Sequence, residues 1–285
     1  MRIAVIGGGP AGISAAIWAK RLGLSPVLYE RDKRIGGQLH QISLPIVDLP
    51  GEPGITAQTV VQNLHSHLHQ IKIPVELNVR VVGMEDRRML TADGGFIAAD
   101  KVIYAPGLKD RVLAVPGSEC ISHLSTGEIL RQRLSPILIV GGGDRALEAA
   151  CRLAEAKIGV SLVHWRATFS ARPEFQDRLK ALPVQVMLGA QVVALKAVAE
   201  GCQAEIVTDS GQRNYVTANR VMVRIGMEPD LEPGLLVGLH GDIANSQPGE
   251  DLMVIGDAVT PAPYRSLVEA YASGMRAAKS LVIKE

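Results

Sequence analysis

The feature that most constrains this chain is a glycine-rich turn that occurs twice. The chain opens MRIAVIGGGPAG. Residues 2–6 form a short apolar run with β-branched members, enough for one buried strand. Gly7, Gly9 and Gly12 follow in GxGxxG spacing, and residues 13–22 continue with a helical pattern. Gly7 permits the tight turn, Gly9 lets backbone approach a pyrophosphate, and Gly12 lets the helix pack close to the strand. The helix N-terminus then offers unpaired N–H groups and the positive end of its dipole to phosphate. Residues 25–29 form the next strand pattern, and it ends in Glu30. A carboxylate at about this spacing from the turn accepts hydrogen bonds from ribose hydroxyls.

The second copy begins at the apolar run 137–140 and reads GGGDRALEAACRLAEA, with Gly141, Gly143 and Ala146 in the same spacing. The copies are in register, because the offset that carries Gly7 onto Gly141 carries Glu30 onto His164, at the end of the strand pattern 160–163. Arg166 and Arg172 stand close behind. A carboxylate suits a free ribose 2′-hydroxyl, whereas a basic cluster suits a 2′-phosphate. Two dinucleotide sites are expected, FAD in the first and NADPH in the second.

At 285 residues and 47% hydrophobic, the chain has enough core for two medium domains. A net charge of +1 without a long basic run argues against a nucleic-acid surface. No apolar stretch approaches the length of a membrane span. The first strand starts at Arg2, so no leader peptide is expected. Three scattered cysteines, Cys120, Cys151 and Cys202, make no disulfide framework, and a cytoplasmic protein is expected.

Between the copies, Gly36, Gly37, Gln38 and Leu39 allow close backbone approach to a ligand, and Asp48 sits in an irregular apolar stretch. Residues 57–70 have a helical pattern with His65 and His69 on one face. No third metal ligand accompanies them, so this reads as a solvated face and no metal is expected. Residues 74–97 alternate like a small antiparallel meander. Residues 101–105 return as a buried strand ending in Ala105-Pro106-Gly107, at the edge where open α/β sheets bind ligands. Residues 111–119 read as a linker. The second unit has its own β-rich middle and returns over 220–225, ending at Gly226. The last strand (252–255), Gly256-Asp257, and a helix from about 264 to 282 complete the first unit rather than the second.

In this order the motifs GGGPAG, GGQL, APG, GGGDRALE and VIGDA, with Arg265-Ser266-Leu267 beyond, resemble the low-molecular-weight thioredoxin reductases and the thioredoxin-reductase-like ferredoxin–NADP⁺ reductases over essentially the whole chain. The resemblance implies an α/β fold of two Rossmann-like nucleotide-binding domains, the second inserted in the first. The FAD domain would span 1–110 and 243–285, the NAD(P)H-binding-like domain 116–238, with linkers at 111–115 and 239–242. It assigns to FAD Gly7, Gly9, Pro10, Ala11, Gly12, Glu30, Arg31, Gly37, Gln38, Leu39, Asp48, Val81, Ala105, Pro106, Gly107, Gly256, Asp257, Arg265, Ser266 and Leu267. To the nicotinamide dinucleotide it assigns Gly141, Gly143, Asp144, Arg145, Ala146, His164, Trp165, Arg166, Arg172 and Gly226. The final helix would open beneath the flavin pyrimidine, where its N-terminus stabilises negative charge.

Three departures qualify this expectation. The Cys-x-x-Cys of thioredoxin reductases is missing, and the stretch before the second glycine turn holds only Cys120, with His123 near it. This leaves Cys120 as the one candidate redox thiol there, against the reading of a packing residue. The basic cluster reads His164-Trp165-Arg166, with Ser170 and then Arg172, so NADH or a second FAD are alternatives to NADPH. The chain also stops at Glu285, without the aromatic extension that covers the flavin in such ferredoxin reductases. The expected activity is an FAD-dependent oxidoreductase passing hydride from NAD(P)H to FAD and on to ferredoxin, flavodoxin or a small oxidant, as a homodimer. The alternatives are a diverged flavoprotein that does not use NAD(P)H, and a non-catalytic redox sensor.

Overall fold

The computed structural model describes residues 1–42, 44–85, 88–236 and 251–283. The chain divides into two compact units, Met1–Lys109 with Pro229–Glu285, and Asp110–Glu228.

In the first unit, β1 (Arg2–Ile6) turns through the glycines into α1 (Pro10–Arg21). Pro10 stands at the first helical position, where its missing N–H removes nothing the helix uses. β2 (Ser25–Glu30) returns parallel to β1. A 3-10 turn (Gly37–Gln41) precedes α2 (Ala57–Gln70), which Thr56 caps through its hydroxyl. The strand expected over 74–80 is shorter and paired differently. It is β3 (Val75–Leu77), which joins β2 in parallel instead of opening the meander, because Asn78 takes a left-handed conformation (φ 59°) and ends the run. The antiparallel ribbon is β4 (Val81–Glu85), β5 (Arg88–Thr91) and β6 (Phe96–Ala98). β7 (Lys101–Tyr104) pairs with β1, and β8 (Leu108–Asp110) leads out of the unit.

The second unit opens with a stretch that is not a free linker, since Leu113 and Val115 pack against its core. A 3-10 turn (Ser118–Cys120) is followed by α3 (Thr126–Gln132), held by a reciprocal cap between Ser125 and Glu128. β9 (Ile137–Val140), α4 (Asp144–Glu155), β10 (Val160–His164), α5 (Pro173–Lys180) and β11 (Val184–Leu188) follow. An antiparallel sheet of β12 (Ala190–Val198), β13 (Gly201–Thr208) and β14 (Arg213–Ala218) packs on the parallel sheet, which β15 (Arg220–Val223) completes in the order β11-β10-β9-β15.

β16 (Met227–Pro229) carries the chain back to the first unit. Residues 229–236 were expected in the inserted domain, yet they group with the first unit. Leu235 in the short helix α6 (Pro233–Leu236) is fully buried in a cluster with Met89, Val102 and Leu252. The linker expected at 239–242 and the second start at 243 lie outside the described residues. β17 (Leu252–Val254) pairs with β7, which gives a five-stranded parallel sheet β17-β7-β1-β2-β3. α7 (Leu267–Ser280) is shorter than its sequence pattern, because Ser266 caps it. It lies against α1 through small residues. A methyl group on Gly274 would meet the Ala11 carbonyl oxygen at 2.2 Å. Chain ends far apart in sequence thus share one core, with Ile3, Val5, Ile13, Leu28 and Ile103 at its centre.

Candidate functional site

The first glycine turn opens into a cavity of about 640 Å³, lined entirely by the first unit. Gly7 has φ +108°, and a methyl group there would meet the Ala105 carbonyl oxygen at 2.2 Å. A methyl group on Gly12 would meet the Gly7 carbonyl oxygen at 2.0 Å, so the turn and helix close on each other without room for side chains. A methyl group on Gly9, by contrast, would touch nothing, because it faces the open cavity. The first N–H groups of α1 have no partners within the helix and are available to an anion there.

Glu30 is buried at the end of β2. Its Oε2 accepts from the Gly8 N–H at 2.6 Å and its Oε1 from the Asp32 N–H at 2.8 Å. The carboxylate therefore fixes the turn while its remaining lone pairs stay available to hydroxyl donors. Across the cavity, the Gly256-Asp257 turn abuts the first turn of α1, since a methyl group on Gly256 would lie 2.9 Å from the Ala11 side chain. Asp257 Oδ1 is buried and has no hydrogen-bond partner. Burial pushes this carboxyl above its ordinary range, with Arg265 pulling the other way and Glu269 adding to the rise. Gln38 donates from Nε2 to the Leu108 carbonyl at 2.9 Å, Arg265 donates from Nε to the Thr260 carbonyl at 3.0 Å, and Ser266 Oγ accepts from the Glu269 N–H.

Of the residues assigned to FAD, all but Asp48 line this one cavity. Asp48 is exposed and is not among the lining residues, because the stretch around it stays on the surface, tied by the Ile46–Ile55 bridge. The lining also includes residues that sequence reasoning did not single out. Tyr104, at the end of β7, is buried and accepts at its hydroxyl from the Glu232 N–H at 2.9 Å. Arg31 pairs with Asp230 at 2.5 Å and Arg80 with Glu232 at 3.0 Å. These contacts bring 230–233 over the cavity. The alternating acids Glu228, Asp230 and Glu232 after Gly226 are the sequence signal, and the partners of Asp230 and Glu232 lie too far away in sequence to be read.

The second glycine turn differs in what surrounds it. His164 ends β10 as expected, but its ring is buried and lies directly on Gly142, where a methyl group would meet Nδ1 at 2.4 Å. Neither ring nitrogen has a full hydrogen-bond partner, and the ring stacks on Phe169 at 5.8 Å. Burial holds the imidazole below its ordinary pKa, opposed by the Thr168 backbone and aided by Arg166. Arg172 donates to Asp144, from its backbone at 2.7 Å and from Nε at 2.8 Å, and pairs with Glu174 at 3.1 Å. Arg166 lies over the exposed ring of Trp165 at 4.5 Å. Arg145 and the mostly buried Arg224 both reach Asp110, at 2.5 and 3.3 Å. Gly226 has φ +107°, and its carbonyl accepts from the Arg111 N–H at 3.1 Å. The three basic side chains expected to form one phosphate cluster thus have separate engagements. Cys120 ends its 3-10 turn half-buried.

Two units of this kind, each built on a parallel sheet with a glycine turn, define a two-dinucleotide-binding-domain fold of the thioredoxin reductase type. The family model described as pyridine nucleotide-disulphide oxidoreductase matches residues 1–274, and the chain belongs to that family. A ferredoxin–NADP reductase of Gluconobacter oxydans is 26% identical over 310 residues, covering 98% of this chain and 90% of that protein. A glucosaminate ammonia-lyase of Pseudomonas fluorescens is 27% identical over 304 residues, covering 97% and 93%. Among solved structures, thioredoxin reductase of Lactococcus lactis superposes with a TM-score of 0.84 at 21% identity, covering 98% of this chain and 97% of that one. The chain is an oxidoreductase and a flavoprotein of the thioredoxin-reductase-like kind. Among the described residues, no helix is long and apolar enough to cross a membrane.

Proposed function

We propose that the first unit holds FAD and that the second binds a nicotinamide dinucleotide, which reduces the flavin for onward transfer to a redox protein such as ferredoxin or flavodoxin, or to a small oxidant. The observation that carries this reading is the unpartnered, buried Asp257 oxygen next to the first turn of α1, in a cavity that the glycines leave open. A buried acceptor without a donor calls for one from a ligand, and flavin ribityl hydroxyls supply it. In this reading the α1 N-terminus takes the pyrophosphate, Glu30 the adenosine ribose, and the N-terminus of α7 the pyrimidine edge of the ring. When bound, FAD supplies the hydride and electron chemistry. The protein orients the rings and provides the positive helix end, so no side-chain acid, base or nucleophile is assigned. The protein works as a cytoplasmic homodimer in this reading.

The 2′-phosphate preference rests mainly on Arg166, because Arg172 is engaged by Asp144 and Glu174 and His164 is buried. The same engagements favour a second reading, in which the inserted unit takes NADH or another planar ligand such as a second flavin, stacked on Trp165. Anaerobic titration of the purified protein with NADPH and, separately, NADH tests both, following flavin absorbance. Bleaching by NADPH at lower concentration than by NADH supports the first reading, and the reverse order supports NADH. If neither bleaches a flavin that dithionite reduces, the nicotinamide reading is wrong. Flavin counted per chain then decides whether the second unit holds one.

A further inference from the structure

The return segment 230–233 lines the first cavity and is fastened at both of its ends. At its start, the Asp230 N–H donates to the Gly107 carbonyl at 3.1 Å. Just past its far end Leu235 is fully buried, and a methyl group on Gly234 would meet the Val82 carbonyl oxygen at 2.1 Å. Between these anchors the Tyr104 hydroxyl accepts from the Glu232 N–H at 2.9 Å. Two ion pairs complete the fastening, Asp230 with Arg31 at 2.5 Å and Glu232 with Arg80 at 3.0 Å. The two carboxylate side chains are 18% and 24% exposed and the two arginines 52% and 59%, so each pair stands at the solvent edge with its acid as the covered member. Both arginines stand beside Glu30. Arg31 follows it directly, and the Val79 N–H donates to the Glu30 carbonyl at 2.9 Å, which sets Arg80 next to that strand end. The segment therefore closes over the Glu30 end of the cavity.

We propose that 230–233 is a strap over the adenosine half of the flavin dinucleotide, and that its pairs with Arg31 and Arg80 make the site selective for FAD over FMN. This assignment rests on the reading that the cavity holds FAD with its adenosine ribose at Glu30. FMN ends at a single phosphate, so it would leave the Glu30 end of the cavity empty. Only FAD extends beneath the strap, and only FAD gains from its closure. Lifting the strap to free the adenosine breaks both ion pairs, while the anchors at Gly107 and Leu235 keep the segment attached. Partly exposed pairs are weak singly, and two acting on one segment correspond to about tenfold in the affinity for FAD. Their exposure also lets salt screen them. A neutral strap keeps its backbone bonds and the lining side chains Leu231 and Pro233, but loses this part of the preference.

The test uses the full chain, stripped of flavin and titrated calorimetrically with FAD and, separately, with FMN. The wild-type FAD-to-FMN affinity ratio is expected to exceed one and to fall as salt is raised. In the double variant Asp230→Asn, Glu232→Gln the FAD affinity is expected to fall about tenfold, with the FMN affinity unchanged and the salt dependence of the ratio lost. Adding Asp230→Arg to Arg31→Asp is expected to restore FAD affinity that Arg31→Asp alone loses. The proposal is overturned if the double variant keeps the wild-type ratio, or if it loses FAD and FMN affinity equally, which marks a merely structural segment. It is also overturned if the wild-type ratio does not respond to salt, a result that depends on no variant. If the wild-type chain binds neither flavin, the FAD reading itself fails and the strap falls with it, so the two failures are told apart.

Discussion

The two glycine turns share a backbone and differ in what closes over them. Gly7 and Gly141 both have positive φ, and at both a methyl group would strike the carbonyl of the residue after the neighbouring strand, Ala105 in one unit and Arg224 in the other, at 2.2 Å. Beyond that, the first turn is organised by a carboxylate that accepts from the Gly8 N–H, and the second by an imidazole lying flat on Gly142. The third position is glycine in one and alanine in the other. The backbone of such a turn is thus a reusable part, while the residue at the end of the second strand decides what chemistry the turn presents. A carboxylate serves as a hydrogen-bond acceptor, whereas a buried neutral ring serves as a packing surface.

Substitutions that exchange features between the turns break this comparison most directly. Gly12→Val places a side chain against the Gly7 carbonyl and is expected to destabilise the fold by on the order of 3 kcal/mol, with flavin lost on gel filtration. The reciprocal Ala146→Gly in the second turn is expected to change the melting free energy by only about 1 kcal/mol, the helix-propensity difference. Equal effects would refute the reading that the third position excludes a side chain in the first turn and accommodates one in the second.

Gly142→Ala forces its methyl group into the His164 ring, and His164→Ala removes the obstacle. A double-mutant cycle on chemical denaturation is expected to return a coupling of about 1–2 kcal/mol, with the double variant more stable than additivity predicts. The same ring gives a pH signature. Its pKa is lowered in the folded state, so the unfolded chain takes up the proton first as pH falls below the ordinary 6.5. Stability is therefore undiminished above that pH and declines below it, and His164→Phe is expected to flatten the acid limb between the unfolded and folded values. An unchanged acid limb would place the titrating group elsewhere.

Asp257→Asn separates binding from stability in the first unit. The carboxyl is raised in the folded state, so its ionisation opposes folding above the ordinary carboxylate range, and the apo protein is expected to melt higher as Asn at neutral pH. The loss of a charged acceptor is expected to weaken flavin binding about tenfold, measured by fluorescence of released FAD on dilution. A variant that loses flavin and also melts lower without it would mean that Asp257 is structural. The smallest effect is expected from Arg172→Ala. Its carboxylate partners are exposed, so the fold should lose less than about 1 kcal/mol. If NADPH affinity falls tenfold in the same variant, Arg172 leaves Asp144 to meet phosphate.

Much of the first unit was legible because its signals are local. Strand, turn and helix lie within the first twenty residues, and the parallel strand Lys101–Tyr104 announces itself by an apolar run ending in Pro106-Gly107. The cavity lining followed from those segments. Asp48 lies on the surface outside the cavity lining, and an acid among apolar residues has no period from which its direction can be read. Residues 229–236 were assigned to the wrong unit because what holds them is Arg31, Arg80 and the Tyr104 hydroxyl, more than a hundred residues earlier.

By itself the sequence determined that two nucleotide-type turns exist and that their ends carry different chemistry. Glycine at such a turn is a local steric requirement, satisfied or violated within a few residues. Only the tertiary structure decided which charges find each other. It turned the basic cluster of the second unit into separate pairs and a buried ring, and it laid an acidic return segment over the first cavity. Ion pairs and burial depend on distances that the chain closes only when its sheets assemble, and no local pattern encodes them.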